Sequence, residues 1–262
     1  MPGTYMLLVI DVGNTNVVFA VFDGDKLNGQ WRISTNARRT ADEYGVWLTQ
    51  VLEHSKIDPE DIKGAVVASV VPQTLFDLRQ LARRYFNTEL MVIGDPRLNL
   101  KTGVGVKIDN PAEVGADRLV NAFAAWSRYK KPLIVVDFGT ATTFDVVNSS
   151  GDYIGGVIAP GVNLSLDALQ RAAAKLPNIG IAKPDKIIGT NTIGAMQSGI
   201  YYGYVGLVEG IVERIKAEHG QKMLVIATGG LASLYSKACP VIEHVEPDLT
   251  IHGLRELHAM NS

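Results

Sequence analysis

A single cysteine, Cys239, occurs in 262 residues, so no internal disulfide can form and the fold must rest on its core. A reducing, cytoplasmic setting is expected. No histidine stands in an obvious catalytic relation to Cys239, which reads as a small buried apolar residue. Long hydrophobic runs are also missing: nothing approaches the roughly 18 unbroken apolar residues that span a bilayer. No signal peptide is read at the start, because Met1 to Ile10 has no basic opening and its apolar run meets Asp11 too early. Pro2-Gly3-Thr4-Tyr5 reads as a loose leader, with Met6 as an alternative start. Finally, no charge of one sign dominates. Lys and Arg number 25 against 27 Asp and Glu, giving a net charge of −2 and a pI near 6.2. That balance offers no electrostatic footprint for nucleic acid or a membrane surface, and neither partner is expected.

What remains is a globular composition, 47% hydrophobic and 20% charged, long enough for two modest domains. The chain is organised around Leu7-Leu8-Val9-Ile10-Asp11-Val12-Gly13-Asn14-Thr15-Asn16. A short apolar run stopped by turn-forming residues reads as a buried strand. The turn then offers backbone N–H groups and small polar side chains beside a carboxylate. Successive N–H groups in a tight turn make an anion-binding concavity, and the acid can hold Mg²⁺ directly or through water. Val17 to Phe22 reads as the return strand of a hairpin, and Leu27 to Ile33 as a third strand.

Thr40 and Glu43 are spaced as a capping box opening a helix with Tyr44, Trp47, Leu48, Val51 and Leu52 on one face, Trp47 in the core. Ala65 to Ser69 reads as a buried strand, Pro72 to Phe86 as a helix and Leu90 to Ile93 as another strand. The turn-rich segment from Arg97 to Asp109 suits a binding loop or a lid. Asn110, Pro111 and Glu113 match cap, N1 and N3 of a helix expected to carry Gly115-Ala116-Asp117-Arg118 and run to Tyr129.

The opening stretch then returns. Leu133-Ile134-Val135-Val136-Asp137-Phe138-Gly139-Thr140-Ala141-Thr142 repeats it 126 residues on, with Asp137 on Asp11, Gly139 on Gly13, and Val146 and Val147 on Ala20 and Val21. Leu224 to Gly230 parallels Ala65 to Val71. The chain is therefore two copies of one unit, hairpin first and buried strand later. Two hairpins presenting N–H groups to one ligand can hold a polyphosphate. Thr228-Gly229-Gly230, opening a helix, lets backbone lie against a nucleoside, and the helix N-terminus there is expected to favour an anion. Ser69-Val70-Val71-Pro72 lacks those glycines, so one nucleotide per chain is expected. Asn163 is read as capping a helix to Lys175, and Asn191-Thr192 as opening a long helix with Gly194, Gly199, Gly203, Gly206 and Gly210. Glycine inside a helix costs roughly 1 kcal/mol against Ala, so five suggest close backbone approach to a neighbour. Asp117, beside Gly115 and Ala116, is the candidate base for phosphoryl transfer, and Arg118 a candidate anion holder; an ordinary polar helix face is the other reading.

Taken together, Asp11 to Asn16, Gly115 to Arg118, Asp137 to Thr142 and Thr228 to Gly230 resemble the type III pantothenate kinases over almost the whole chain. The resemblance implies an α/β fold of two ribonuclease-H-like halves, as in actin-like ATPases, with mixed sheets flanked by helices. The halves are expected at residues 1–115 and 116–262. It further implies that Asp11, Val12, Gly13, Asn14, Thr15, Asn16, Val17 and Val18 form the first phosphate loop, with Asp11 near Mg²⁺. Thr140 would touch the ATP phosphates, with Thr228, Gly229 and Gly230 at the nucleoside, and Asp137 would bind K⁺ or NH₄⁺. Gly115, Ala116, Asp117, Arg118 and Thr192 would bind pantothenate, Asp117 accepting the proton of its primary hydroxyl and Arg118 meeting its carboxylate. A homodimer is implied. The sequence departs from the family at Ile108, where many members place an aromatic residue. A kinase of another small alcohol or acid, or a nucleotide-binding regulator without transfer activity, are the competing readings.

Overall fold

Met6–Val12 has six apolar residues in seven, too many for a strand with one wet face. In the computed structural model, which describes residues 5–98, 100–172 and 177–262, this segment is the central strand β1. It pairs antiparallel with β2 (Asn16–Asp23) and parallel with β4 (Ile62–Ser69). β3 (Lys26–Ser34) and β5 (Leu90–Val92) complete a sheet of order β3-β2-β1-β4-β5. Two helices, α1 (Ala41–His54) and α2 (Leu75–Phe86), pack on one face. Leu8, Ile10 and Val12 meet Tyr44, Leu48, Leu52, Leu78 and Leu81 there. The Thr40–Glu43 capping box is present, the Glu43 carboxylate accepting the Thr40 N–H at 2.8 Å. Trp47 packs at the edge of this core, 5.5 Å from the Phe19 ring.

The second sheet has the same plan. β6 (Leu133–Phe138) pairs antiparallel with β7 (Ala141–Val147), which pairs with β8 (Tyr153–Pro160). On its other side β6 runs parallel to β9 (Leu224–Gly229), and β9 to β10 (His244–Val245). The order β8-β7-β6-β9-β10 mirrors the first sheet strand for strand, so the duplication read from two Asp-x-Gly turns is a duplication of topology.

The register corrects the alignment inside it. The first hairpin closes at Val12 and Val17, the second at Phe138 and Thr142, so the second turn is one residue shorter. Beyond the turn, Ala20 therefore matches Asp145, and Val21 matches Val146; Val147 falls one position further on. Likewise Asp11 lies beside Ala68 and Asp137 beside Thr228, so Thr228 matches Ala68, Gly229 matches Ser69 and Gly230 matches Val70.

Three helix expectations are also revised. Pro111–Glu113 is a separate 3-10 turn capped by Asn110; extended backbone at Val114 ends it, and helix α3 (Ala116–Tyr129) starts afresh. Helix α4 (Val162–Ala172) begins before Asn163, which lies inside it; Lys175 and the leader residues Pro2 to Thr4 fall outside the described residues. The helix after Gly230 is a single turn, α6 (Ala232–Tyr235), whose cap position Leu231 has no side-chain hydrogen bond. It is too short for the anion-binding terminus expected there. The long helix α5 (Thr192–His219) is as read, with the Asn191 side chain accepting the Gly194 N–H at 2.8 Å.

By internal packing the chain divides into two compact units. One holds Met1–Gly103, Asn110–Ala124 and Thr250–Ser262, the other Val104–Asp109 and Ala125–Leu249. In the first, the C-terminal helix α7 (Leu249–Asn261) lies on α3: a β-carbon at Gly253 would be 2.8 Å from Ala124 Cβ, and Thr250 Oγ1 donates to Asn121 Oδ1 at 2.7 Å. In the second, part of the turn-rich segment is tied to β8. Lys107 N–H donates to the Tyr153 carbonyl, and Tyr153 N–H to the Gly105 carbonyl, both at 2.8 Å.

Candidate active site

Strand alternation decides where the two acids point. Ile10 and Val12 enter the core under α1 and α2, so Asp11 between them belongs to the opposite face. Ile134, Val136 and Phe138 enter the second core, which puts Asp137 on the equivalent face of the second sheet. Both are only half-buried, although the residues on either side of each in its central strand are buried.

In the first unit, the turn after Asp11 is held by backbone. Gly13 N–H donates to the Asn16 carbonyl at 3.0 Å, and Thr35 donates its hydroxyl to the Gly13 carbonyl at 2.7 Å. Asn14, Thr15 and Asn16 are left exposed, while Val12, Val17 and Val18 are buried strand residues. Asp117 occupies the first turn of α3, where its carboxylate accepts the Arg118 N–H at 2.8 Å. Burial pushes this carboxyl above the ordinary aspartate range, against the pull of the Arg118 amide and charge. Gly115 is glycine for a local reason: a β-carbon there would be 2.6 Å from Asp117 Oδ1. The same point lies 3.8 Å from Val70 Cγ1, and the Val70 N–H donates to the Val12 carbonyl at 3.0 Å. The Gly115–Arg118 motif, the loop after β4 and the first hairpin thus adjoin. Ala116 opens the helix beside them.

In the second unit, Gly139 N–H donates to the Ala141 carbonyl at 3.0 Å, leaving Gly139 and Thr140 exposed at the tip. Asp137 pairs in register with Thr228, and Phe138 with Gly229. Gly229 has φ +87°, and a β-carbon on it would overlap Asp137 Oδ1 and lie 2.7 Å from the Phe138 carbonyl oxygen. Gly230 is exposed, with open space where a side chain would be. Behind the hairpin tip lies Gly161, whose missing β-carbon would overlap the Thr140 carbonyl oxygen. Tyr204 of α5 reaches the carbonyls of Pro160 and Gly161, at 2.8 and 3.0 Å, and its hydroxyl is 2.5 Å from Ser165 Oγ. Gly161 carries no motif, and Tyr204 reads in the sequence only as one of the tyrosines interleaved with the glycines of α5, so neither is legible as a neighbour of the second hairpin.

Thr192 is the first residue of α5 and borders a groove with Leu169, Gly189, Thr190, Met196 and Ile200. Ile108 lies against β8, its Cγ2 3.9 Å from where Gly155 would carry a side chain. Among the described residues no three His, Cys, Asp or Glu side chains gather as a metal cluster. No helix among the described residues is long and apolar enough to cross a membrane.

Comparison with known proteins agrees with this layout. The sequence pattern described as type III pantothenate kinase matches residues 7–214. A type III pantothenate kinase of Paramagnetospirillum magneticum is 59% identical over 257 residues, covering 98% of both chains. One from Rhodospirillum rubrum is 57% identical, covering 98% of this chain and 99% of that one. Among solved structures, the activator of the 2-hydroxyisocaproyl-CoA dehydratase from Clostridium difficile with bound ADPNP superposes with a TM-score of 0.55 at 13% identity, covering 98% and 94% of the two chains. That likeness speaks for the fold alone: the duplicated actin-like architecture. With more than half its residues identical to such relatives over nearly its full length, the chain belongs to the type III pantothenate kinase family.

Proposed function

We propose that this chain transfers the terminal phosphoryl group of ATP to the primary hydroxyl of pantothenate, with Asp117 taking the hydroxyl proton. The observation that carries this reading is the Asp117 carboxylate: half-buried, raised in pKa by burial, and lodged against a residue without a side chain. A carboxylate whose pKa is raised accepts a proton more readily than an exposed aspartate, and the missing side chain at Gly115 keeps the approach to it uncrowded. Arg118 is assigned to the pantothenate carboxylate, which a guanidinium can bind through two parallel hydrogen bonds. Gly115, Ala116 and Thr192 are assigned to the remainder of the acceptor.

The turn residues Gly13, Asn14, Thr15 and Asn16, with the flanking Asp11, Val12, Val17 and Val18, are assigned to the ATP phosphates. Thr140 is assigned there too. Thr228, Gly229 and Gly230 are assigned to the nucleoside. Asp11 offers a hard oxygen donor suited to Mg²⁺, which when bound neutralises phosphate charge. Asp137 is assigned to a monovalent cation, K⁺ or NH₄⁺. Its surroundings suit one, because the Asp137 carboxylate and the Phe138 carbonyl oxygen both lie against the backbone of Gly229, two oxygen donors close to one point.

A homodimer is assigned to the second unit. Gly199, Gly203 and Gly206 follow each other at helical spacing on α5 and are exposed, and a β-carbon on each would meet nothing among the described residues. Ile158, Leu164, Leu169, Ile187, Ile188 and Ile193 of the same unit are exposed as well, Ile188 at 79%. Light scattering should give twice the mass of one 28.3 kDa chain; a monomer at micromolar concentration overturns this assignment.

Purified protein with Mg-ATP, K⁺ and pantothenate should form 4′-phosphopantothenate. Transfer to another small alcohol in preference to pantothenate would overturn the acceptor. ATP binding without transfer to any acceptor would leave a nucleotide-binding regulator. Equal rates in Na⁺ and K⁺ buffers would remove the cation from Asp137.

A further inference from the structure

The loop after β4 was set apart in sequence as the copy that lost its glycines. Its geometry gives it another task. By register Ser69 and Val70 occupy the places of Gly229 and Gly230. At Gly230 the space for a side chain is open, whereas in the first unit an isopropyl group stands there. Its direction is defined: Val70 Cγ1 is 3.8 Å from the point where Gly115 would carry a β-carbon, and Asp117 Oδ1 is 2.6 Å from that same point. The valine methyl and the reactive carboxylate therefore lie against the same glycine.

Val70 is also rigidly mounted. Its N–H is bonded to the Val12 carbonyl at 3.0 Å. Ser69 Oγ accepts the Val71 N–H and donates to the Val71 carbonyl, both at 3.1 Å, closing a local turn around it. The side chain is half-buried, so one part remains available to a ligand.

We infer that Val70 is a specificity-determining residue of the acceptor site, packing against the two methyl groups of pantothenate. The inference rests on the proposed acceptor and follows from its chemistry. The carbon bearing the phosphorylated hydroxyl is bonded to a quaternary carbon carrying two methyls. When the hydroxyl is within hydrogen-bond reach of Asp117, that quaternary carbon is one bond further on, and its methyls need an apolar wall at the edge of the carboxylate. Val70 Cγ1 supplies one at that edge. Sequence distance hid the connection, since Val70 and Asp117 are 47 positions apart.

The test compares two acceptors across three proteins at saturating Mg-ATP and K⁺. One acceptor is pantothenate, the other its analogue with both methyls replaced by hydrogen. Wild type should prefer pantothenate by at least about tenfold in kcat/KM, the discrimination a few buried methyl contacts can supply. Val70→Ala should lose roughly tenfold on pantothenate and change by less than about threefold on the analogue, so that the preference collapses. Val70→Thr keeps the shape and puts a hydroxyl beside the methyls; it should lose preference in the same direction, with the KM for ATP unchanged. An equal loss on both acceptors, or an unchanged preference in either variant, overturns the role of Val70. A wild-type protein inactive on pantothenate would instead overturn the acceptor itself.

Discussion

Gly229 and Asp137 sit on adjacent parallel strands, and the space a side chain would need at Gly229 is taken by the Asp137 carboxylate. The glycine at the end of β9 therefore shapes the acid on β6. Two constraints act at once, because Gly229 also has φ +87°, a conformation that costs an L residue roughly 1–2 kcal/mol. Gly229→Ala should lower the thermal midpoint and displace the Asp137 carboxylate. The K⁺ concentration for half-maximal activity should rise by about tenfold or more, as for a lost charged ligand. If only the KM for ATP changes, Gly229 serves the nucleotide alone.

Asp117→Asn separates stability from catalysis. Burial raises the folded-state pKa above the unfolded value, so the ionised carboxylate is a stability penalty at neutral pH. The penalty is fully present above the folded pKa and is relieved as pH falls through it toward the unfolded value. The asparagine variant should melt at the same temperature as wild type or higher at pH 7. Its kcat should fall by about 10² or more, as for a lost base. The acid limb of the wild-type pH profile should lie above the ordinary aspartate range and be absent from the variant. Normal turnover by the asparagine protein would remove Asp117 from the chemistry.

Gly161 and Tyr204 should act on ATP through the second hairpin. Gly161→Ala forces its new methyl against the Thr140 carbonyl. Tyr204→Phe removes the hydroxyl from the Pro160 and Gly161 carbonyls, a buried polar loss of about 1–3 kcal/mol in stability. Steady-state kinetics should show a raised KM for ATP in both variants, larger for Gly161→Ala, with the KM for pantothenate retained. A reversed pattern would place this junction at the acceptor.

Cys239 should be chemically silent. It is fully buried, and burial pushes its thiol up to about 12. Only a thiolate reacts rapidly with thiol reagents. A colorimetric thiol assay should register no cysteine in the folded protein and one after denaturation; rapid labelling of the native form would contradict the burial.

The duplication was legible because each copy begins with an apolar run broken by Asp-x-Gly, a pattern that needs no tertiary information. The register was not. A constant offset of 126 places Phe19 on Asp145, exchanging a core ring for an acid, whereas the paired strands match Phe19 with Phe144, and both rings enter their cores. Phe19 and Phe144 were visible in the sequence. A one-residue difference in turn length breaks a fixed offset, and two-residue strand periodicity then swaps every face. The start of α3 was misread for a related reason. Asn110-Pro111-Ala112-Glu113 is a good cap for any helical turn, and only the extended backbone at Val114 shows that the turn stops there. Val70, Gly161 and Tyr204 were invisible as site neighbours because what they touch lies far along the chain or carries no motif.

The packing of α7 on α3 has a consequence for biosynthesis. The first sheet, its two helices and the part of α3 that packs with them all lie before residue 125, yet the unit they form also contains Thr250–Ser262. Chains emerge from the ribosome N-terminus first, and domains generally fold as they appear. Here the earlier-made unit must wait, with the surface that receives Gly253 and Thr250 uncovered, while the whole of the other unit is translated. A segment translated after the whole of the other unit closes the one made before it.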